Sequence, residues 1–157
     1  MLPVENDQIR SLLLKGKFGL EKESLRVTPN GYFAHTPHPF AGEEHIVRDF
    51  CENQTEINTP VVSSAHEAIH SLEEYTAKIQ KKLRSLPERE LLWPFSNPPF
   101  IRSEKDVPIA QFTGDLKAKT DYREYLSDRY GRYKMTLSGI HVNYSFSDEL
   151  LQAAFAL

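Results

Sequence analysis

The chain has 157 residues, with 19 Lys and Arg against 22 Asp and Glu and a net charge of -3. That balance gives no general pull toward nucleic acid or anionic lipid, and no basic stripe with interleaved aromatics is present. The longest apolar run near the start, Leu12-Leu13-Leu14, is far too short for a signal core or a membrane span.

A composition of 39% hydrophobic and 26% charged residues is that of a soluble globular protein with one domain's worth of core. The single cysteine, Cys51, excludes an internal disulfide and fits a reducing, cytoplasmic compartment. No Cys-His signature surrounds it, so it reads as a buried bystander.

In chain order, residues 4 to 16 predict a short helix with Ile9, Leu12 and Leu13 at helical spacing and Gly16 as its stop. Residues 17 to 28 predict the first strand. Pro29-Asn30-Gly31 is a turn signal, and Tyr32-Phe33-Ala34 begins a partner strand. Residues 35 to 45 are loop. Residues 46 to 58 form a second strand region, interrupted near Glu52-Asn53-Gln54.

Residues 65 to 86 predict the clearest helix. Ser64 and Glu67 form a capping box, and Ala65, Ile69, Leu72, Ile79, Leu83 and Leu86 make the apolar stripe before Pro87. Residues 93 to 108 are Pro-rich and suit neither a central strand nor a helix interior. A further helix runs from Asp121 to Tyr130, capped by Thr120 and closed by Gly131. Lys134 to Phe146 is the longest strand candidate. Ser147, with Asp148 and Glu149, opens a last helix that runs to Leu157. No internal repeat or low-complexity linker is present. The fold class is therefore α+β, an antiparallel sheet with flanking helices.

Three segments carry possible chemistry. Along a strand, side chains alternate, so Glu21 and Glu23 share a face. Glu-Lys-Glu is a common solvated pattern; in a pocket, two facing carboxylates call for a divalent cation. On the long strand, Gly139, His141, Asn143 and Ser145 fall on one side, and Ile140, Val142, Tyr144 and Phe146 on the other, which packs. The polar side is either the wet face of a half-buried strand or the lining of a cavity. Asp49 and Glu56 are seven apart, so only a bend or bulge brings them to one face. Together Glu21, Glu23, Asp49, Glu56 and His141 are hard oxygen ligands plus one imidazole, suited to Mg²⁺ or Mn²⁺ and poor for structural zinc. No Walker-type or GxGxxG loop is present.

Five segments occur in order: Phe18-Gly-Leu-Glu-Lys-Glu-Ser-Leu-Arg26, Asp49-Phe50 through Glu56-Ile-Asn-Thr-Pro60, Leu92-Trp-Pro-Phe-Ser-Asn-Pro-Pro99, Asp121-Tyr-Arg-Glu124 and Ser138-Gly-Ile-His-Val-Asn143. With them the chain resembles the N-terminal part of bacterial glutamate–cysteine ligases, in particular the ligase module of bifunctional glutathione synthases. The resemblance implies a sheet like that of the glutamine synthetase catalytic domain. It implies ATP-dependent joining of the glutamate γ-carboxylate to the amine of cysteine through a γ-glutamyl phosphate, the first step of glutathione biosynthesis. It further implies that Glu21, Glu23, Asp49, Glu56 and His141 are magnesium ligands. Tyr122 and Arg123 match a Tyr-Arg pair lining the cysteine pocket, with Phe50 beside it.

Two features depart from the family pattern. The family's ligase module runs to several hundred residues, and its last metal carboxylate and phosphate-binding basic residues lie beyond position 157. Met135 stands where relatives often carry glutamine. The expectation is that residues 1–157 are the N-terminal portion of a ligase domain, inactive alone, with a C-terminal ATP-grasp module possible in the complete protein. Two alternatives stay open: an ATP-dependent ligase for another amine, and a non-catalytic remnant.

Overall fold

A computed structural model describes residues 2–157. The first segment forms α1 (Asp7–Leu12), whose N-terminus is capped by the Asn6 side chain accepting from the amides of Gln8 and Ile9. Strand β1 (Gly16–Val27) follows and is the spine of the sheet. Gly16 opens this strand rather than merely stopping the helix. A Cβ on it would collide with the Ser145 backbone carbonyl and lie 2.7 Å from the Tyr144 ring, so the position requires glycine.

The second strand region is a hairpin of β2 (Ile46–Arg48) and β3 (Gln54–Asn58). Asp49–Asn53 reverses the chain, with Asp49 N–H donating to Gln54 O at 3.1 Å. Next come α2 (Ala65–Arg84), β4 (Leu91–Leu92), α3 (Lys117–Tyr130), β5 (Ile140–Phe146) and α4 (Asp148–Phe155). One edge of β1 pairs antiparallel with β3, and β3 with β2. Its other edge is shared: β5 pairs with Gly16–Lys22, and β4 with Arg26 and Val27. The antiparallel sheet with flanking helices is the expected α+β class.

The two sheet faces have different fates. On one, Ile46 and Ile57 pack with Phe40 against Ile79 and Leu83 of α2. On the other, Leu25 packs with Phe33, Phe50, Cys51 and Val107, and Leu126 of α3 leans on that cluster. Glu21 and Glu23 share this second face with Leu25 but lie nearer the start of β1, beyond the apolar cover.

Several boundaries differ from the sequence expectation. The stripe of α2 is rotated: Ala68, Ile79 and Leu83 are buried while Ala65 is exposed and Ile69 is 52% exposed. A 3.6-residue period fixes a stripe's width, and the docking partner chooses its phase. Tyr32-Phe33-Ala34 forms only a single bridge, Val27 to Phe33. Helix α3 begins at Lys117, so Thr120 lies inside it and is not its cap; its hydroxyl instead accepts from Phe112 N–H at 2.7 Å. Lys134–Thr136 is a 3₁₀ turn and the last strand starts only at Ile140. The apolar side of β5 packs only in part: Tyr144 meets Phe18, with ring centroids 4.9 Å apart. Ile140 is 59% and Val142 70% exposed, because among the described residues β5 pairs only with β1 and no layer covers it. Among the described residues no helix is long and apolar enough to cross a membrane.

Candidate functional site

Sheet register assembles the acidic face. Glu23 stands opposite Glu56 across β1 and β3; Glu21 stands opposite Asn58 on β3 and opposite His141 on β5. Residues opposite one another in an antiparallel pair share a face. The hairpin solves the spacing of Asp49 and Glu56. Val47 is opposite Glu56, and Asp49, two residues on, points the same way at the turn. The bend that the seven-residue spacing required is this β2–β3 reversal.

Glu21 and Glu23 are held by hydrogen bonds, and Asp49 lies beside Arg123. His141 Nδ1 lies 3.2 Å from Glu21 Oε2, and Asn143 Nδ2 donates to Glu21 Oε1 at 2.9 Å. Gly139 N–H donates to Glu23 Oε2 at 3.0 Å. Arg123 of α3 donates Nε to the Asp49 backbone carbonyl at 2.6 Å, and its other terminus lies 4.0 Å from Asp49 Oδ1.

The electrostatics follow from crowding. Burial pushes the Glu56 carboxyl up to about 7, with the charges of Asp49, Glu23 and Glu21 adding to the rise. Burial likewise raises Glu23 and Asp49, the Gly139 amide opposing in one case and the Arg123 charge in the other. His141 is raised by its bond to Glu21, then by the charge of Glu23. The face is a cluster of mutually repelling carboxylates with one imidazole as partial counter-charge. Among the described residues, no three His, Cys, Asp or Glu side chains converge closely enough to hold a metal ion as they stand. Their donor chemistry, hard oxygens with one imidazole, nevertheless suits Mg²⁺ or Mn²⁺, and a divalent cation would offset the Asp49, Glu23 and Glu21 charges that add to the burial of Glu56.

The three remaining candidates divide. Arg123 reaches the acidic face, its guanidinium carbon 5.0 Å above the Phe112 ring and its NH1 donating to Lys119 O at 2.9 Å. Its NH2 faces the Asp49 carboxylate, 4.0 Å from Oδ1. Tyr122 is 59% exposed and stacks on Tyr125 with ring centroids 6.5 Å apart. Both sit in the second turn of α3, so the helix's own N-terminal amides do not serve them. Phe50 is 1% exposed and lies in the core beneath Asp49, so it supports the face rather than lining it. Among the described residues His141 and Asn143 are exposed on an open face, while Gly139 and Ser145 at the two ends of that side line separate shallow pockets.

Sequence reasoning did not single out Asn143 or the Gly139 amide as holders of carboxylates. The signal was there in the two-residue spacing of 139, 141 and 143 on one side of a strand. It also passed over Arg26, which is wholly buried and pairs with Glu90, because a lone arginine in a strand reads as surface.

An antiparallel sheet that buries one face on a helix and turns a row of carboxylates outward from the other defines an α+β protein with an acidic sheet-face site. The family model for glutamate–cysteine ligase matches residues 2–157. The glutathione biosynthesis bifunctional protein GshAB of Listeria monocytogenes is 42% identical, over 97% of this chain and 20% of its own length. The glutamate–cysteine ligase of Clostridium acetobutylicum is 41% identical, over 96% of this chain and 32% of its own. Among solved structures, the bifunctional glutathione synthetase from Pasteurella multocida superposes with a TM-score of 0.85 at 34% identity, covering 98% of this chain and 20% of that one. The glutamate–cysteine ligase of Francisella tularensis, solved in complex with AMP, gives 0.79 at 32% identity over 88% and 28%. The chain belongs to the glutamate–cysteine ligase family. It spans about a fifth of the length of the bifunctional relatives that it matches.

Proposed function

We propose that this chain is the N-terminal portion of the catalytic unit of an ATP-dependent ligase that joins the γ-carboxylate of glutamate to the amine of cysteine. The observation that carries the reading is the meeting of Glu21, Glu23, Asp49, Glu56 and His141 on one sheet face, in a chain of this family. These five side chains are the ones that would hold Mg²⁺ or Mn²⁺. A bound divalent cation screens the phosphate charges of ATP while a carboxylate approaches them. AMP in the complex of the Francisella relative supports a nucleotide substrate.

In this reaction a γ-carboxylate oxygen attacks the terminal phosphorus of ATP, releasing ADP and leaving γ-glutamyl phosphate. The cysteine amine then attacks the acyl carbon, and phosphate leaves. This chain's residues orient the participants. His141 and Asn143 fix Glu21, the Gly139 amide fixes Glu23, and Arg123, anchored on the Asp49 carbonyl with its NH2 4.0 Å from Asp49 Oδ1, offers its positive charge to a substrate carboxylate. Tyr122 supplies an aromatic wall with a hydroxyl next to it. Relatives named as bifunctional support a second, glutathione-forming module in the complete protein; that this module is of ATP-grasp type and that the protein works in the cytoplasm on small molecules belong to the same proposal.

The test is steady-state kinetics of the full-length protein with glutamate, ATP and a panel of amines. Cysteine-dependent phosphate release well above that with other amines is expected. Arg123→Ala should raise the cysteine KM strongly and leave the ATP KM nearly unchanged. Equal rates with unrelated amines would overturn the substrate, and no change in the cysteine KM would remove Arg123 from the pocket.

A further inference from the structure

Both oxygens of Glu21 are taken by β5. His141, directly opposite in register, lies against Oε2, and Asn143 donates to Oε1 at 2.9 Å. Asn143 is not opposite Glu21; its partner in register is Gly19. Gly19 has no side chain, so the Asn143 amide leans across it to the next residue on that face. A Cβ on Gly19 would stand 3.8 Å from the Asn143 Cβ, along that path. With Gly139, just before β5, donating to Glu23, this segment places three donors on the two carboxylates of β1.

The chemistry of the three differs. The Gly139 N–H is backbone. The His141 imidazole carries a proton that titrates. The Asn143 amide is neutral at every pH and donates without cancelling charge. We propose that Asn143 is a positioning residue. It fixes the plane of the Glu21 carboxylate while leaving its full negative charge for a divalent cation. An exposed hydrogen bond of this kind adds little to stability. Its consequence is orientation, as expected of a hydrogen-bond partner of a metal-binding carboxylate. The inference rests on the reading of the acidic face given above.

The test uses this chain with Mn²⁺ as the probe. Paramagnetic broadening of NMR signals follows the site even when binding is weak. In the wild type, Mn²⁺ should broaden His141 and Asn143 side-chain signals before those of remote residues. Asn143→Ala and Asn143→Leu should each raise the apparent Mn²⁺ Kd roughly tenfold, with unchanged melting temperatures. Glu21→Gln should shift the Asn143 amide pair, and Glu23→Gln should leave it in place. Wild-type affinity in the Leu variant would make Asn143 a space-filler and overturn the proposal, as would wild-type affinity in both variants. Broadening with no preference for this face in the wild type would instead remove the metal reading itself, and the inference with it.

Discussion

Arg26 and Glu90 form an ion pair shut off from water, 2.6 Å from NH1 to Oε2, with side chains 0% and 1% exposed. Arg26 also donates to Thr36 Oγ1 and Thr36 O at 2.9 Å and to Glu52 O at 3.1 Å, and the Thr36 hydroxyl closes the network on Glu90. The pair ties β1 to the residue just before β4 and to the loop after β1. Removing one member leaves a buried charge without its partner, which costs about 3–5 kcal/mol. Glu90→Gln and Arg26→Met should each lower the unfolding free energy read from urea titration by that amount. The double variant should lose much less than the sum. Additive losses would show that the two residues act independently.

Glu23 and Glu56 oppose each other in register, and like charges so placed destabilise a sheet by about 0.2–1 kcal/mol. Glu56→Gln should therefore stabilise the metal-free chain slightly. In the full-length ligase the same change should reduce turnover severely. Calorimetric melting and phosphate-release assays read the two effects. A loss of stability with intact turnover would assign Glu56 to structure.

His38 sets an acid limit. Burial and the nearby Arg26 charge lower its imidazole from 6.5 to about 4, and its Nδ1 has no hydrogen-bond partner. The folded chain therefore keeps it neutral while the unfolded chain takes up a proton. Stability from this group is complete above pH 6.5 and is lost as pH falls toward about 4. Subtracting the stability–pH curve of His38→Gln from that of the wild type should isolate this slope. A flat difference would contradict it.

Cys51 should be inert. It is 0% exposed, and burial pushes its thiol up to about 12, so almost no thiolate forms at neutral pH. A maleimide or disulfide reagent should leave the native chain unlabelled and react fully in denaturant. Rapid native labelling would mean that the core around Phe50 opens readily.

The sequence by itself determined what local chemistry controls. Alternation placed Glu21 and Glu23 on one face and His141 with Asn143 on another strand's face. Ser64 capped α2, accepting from Glu67 N–H at 3.2 Å, and Gly131 closed α3 at a φ of 77°. The family motifs lie where these local signals are strongest, so the family was legible before any fold. The tertiary structure alone decided which faces meet. The pairing of β1 with β3 on one edge and β5 on the other put Glu56 and His141 beside the first two carboxylates. The two residues of β4 became a strand only because β1 offered them an edge. The phase of the α2 stripe, the burial of Phe50 and the Arg26–Glu90 pair also depended on residues distant in sequence. Periodicity reports which side chains point the same way along one element, and it holds no information about what stands opposite them.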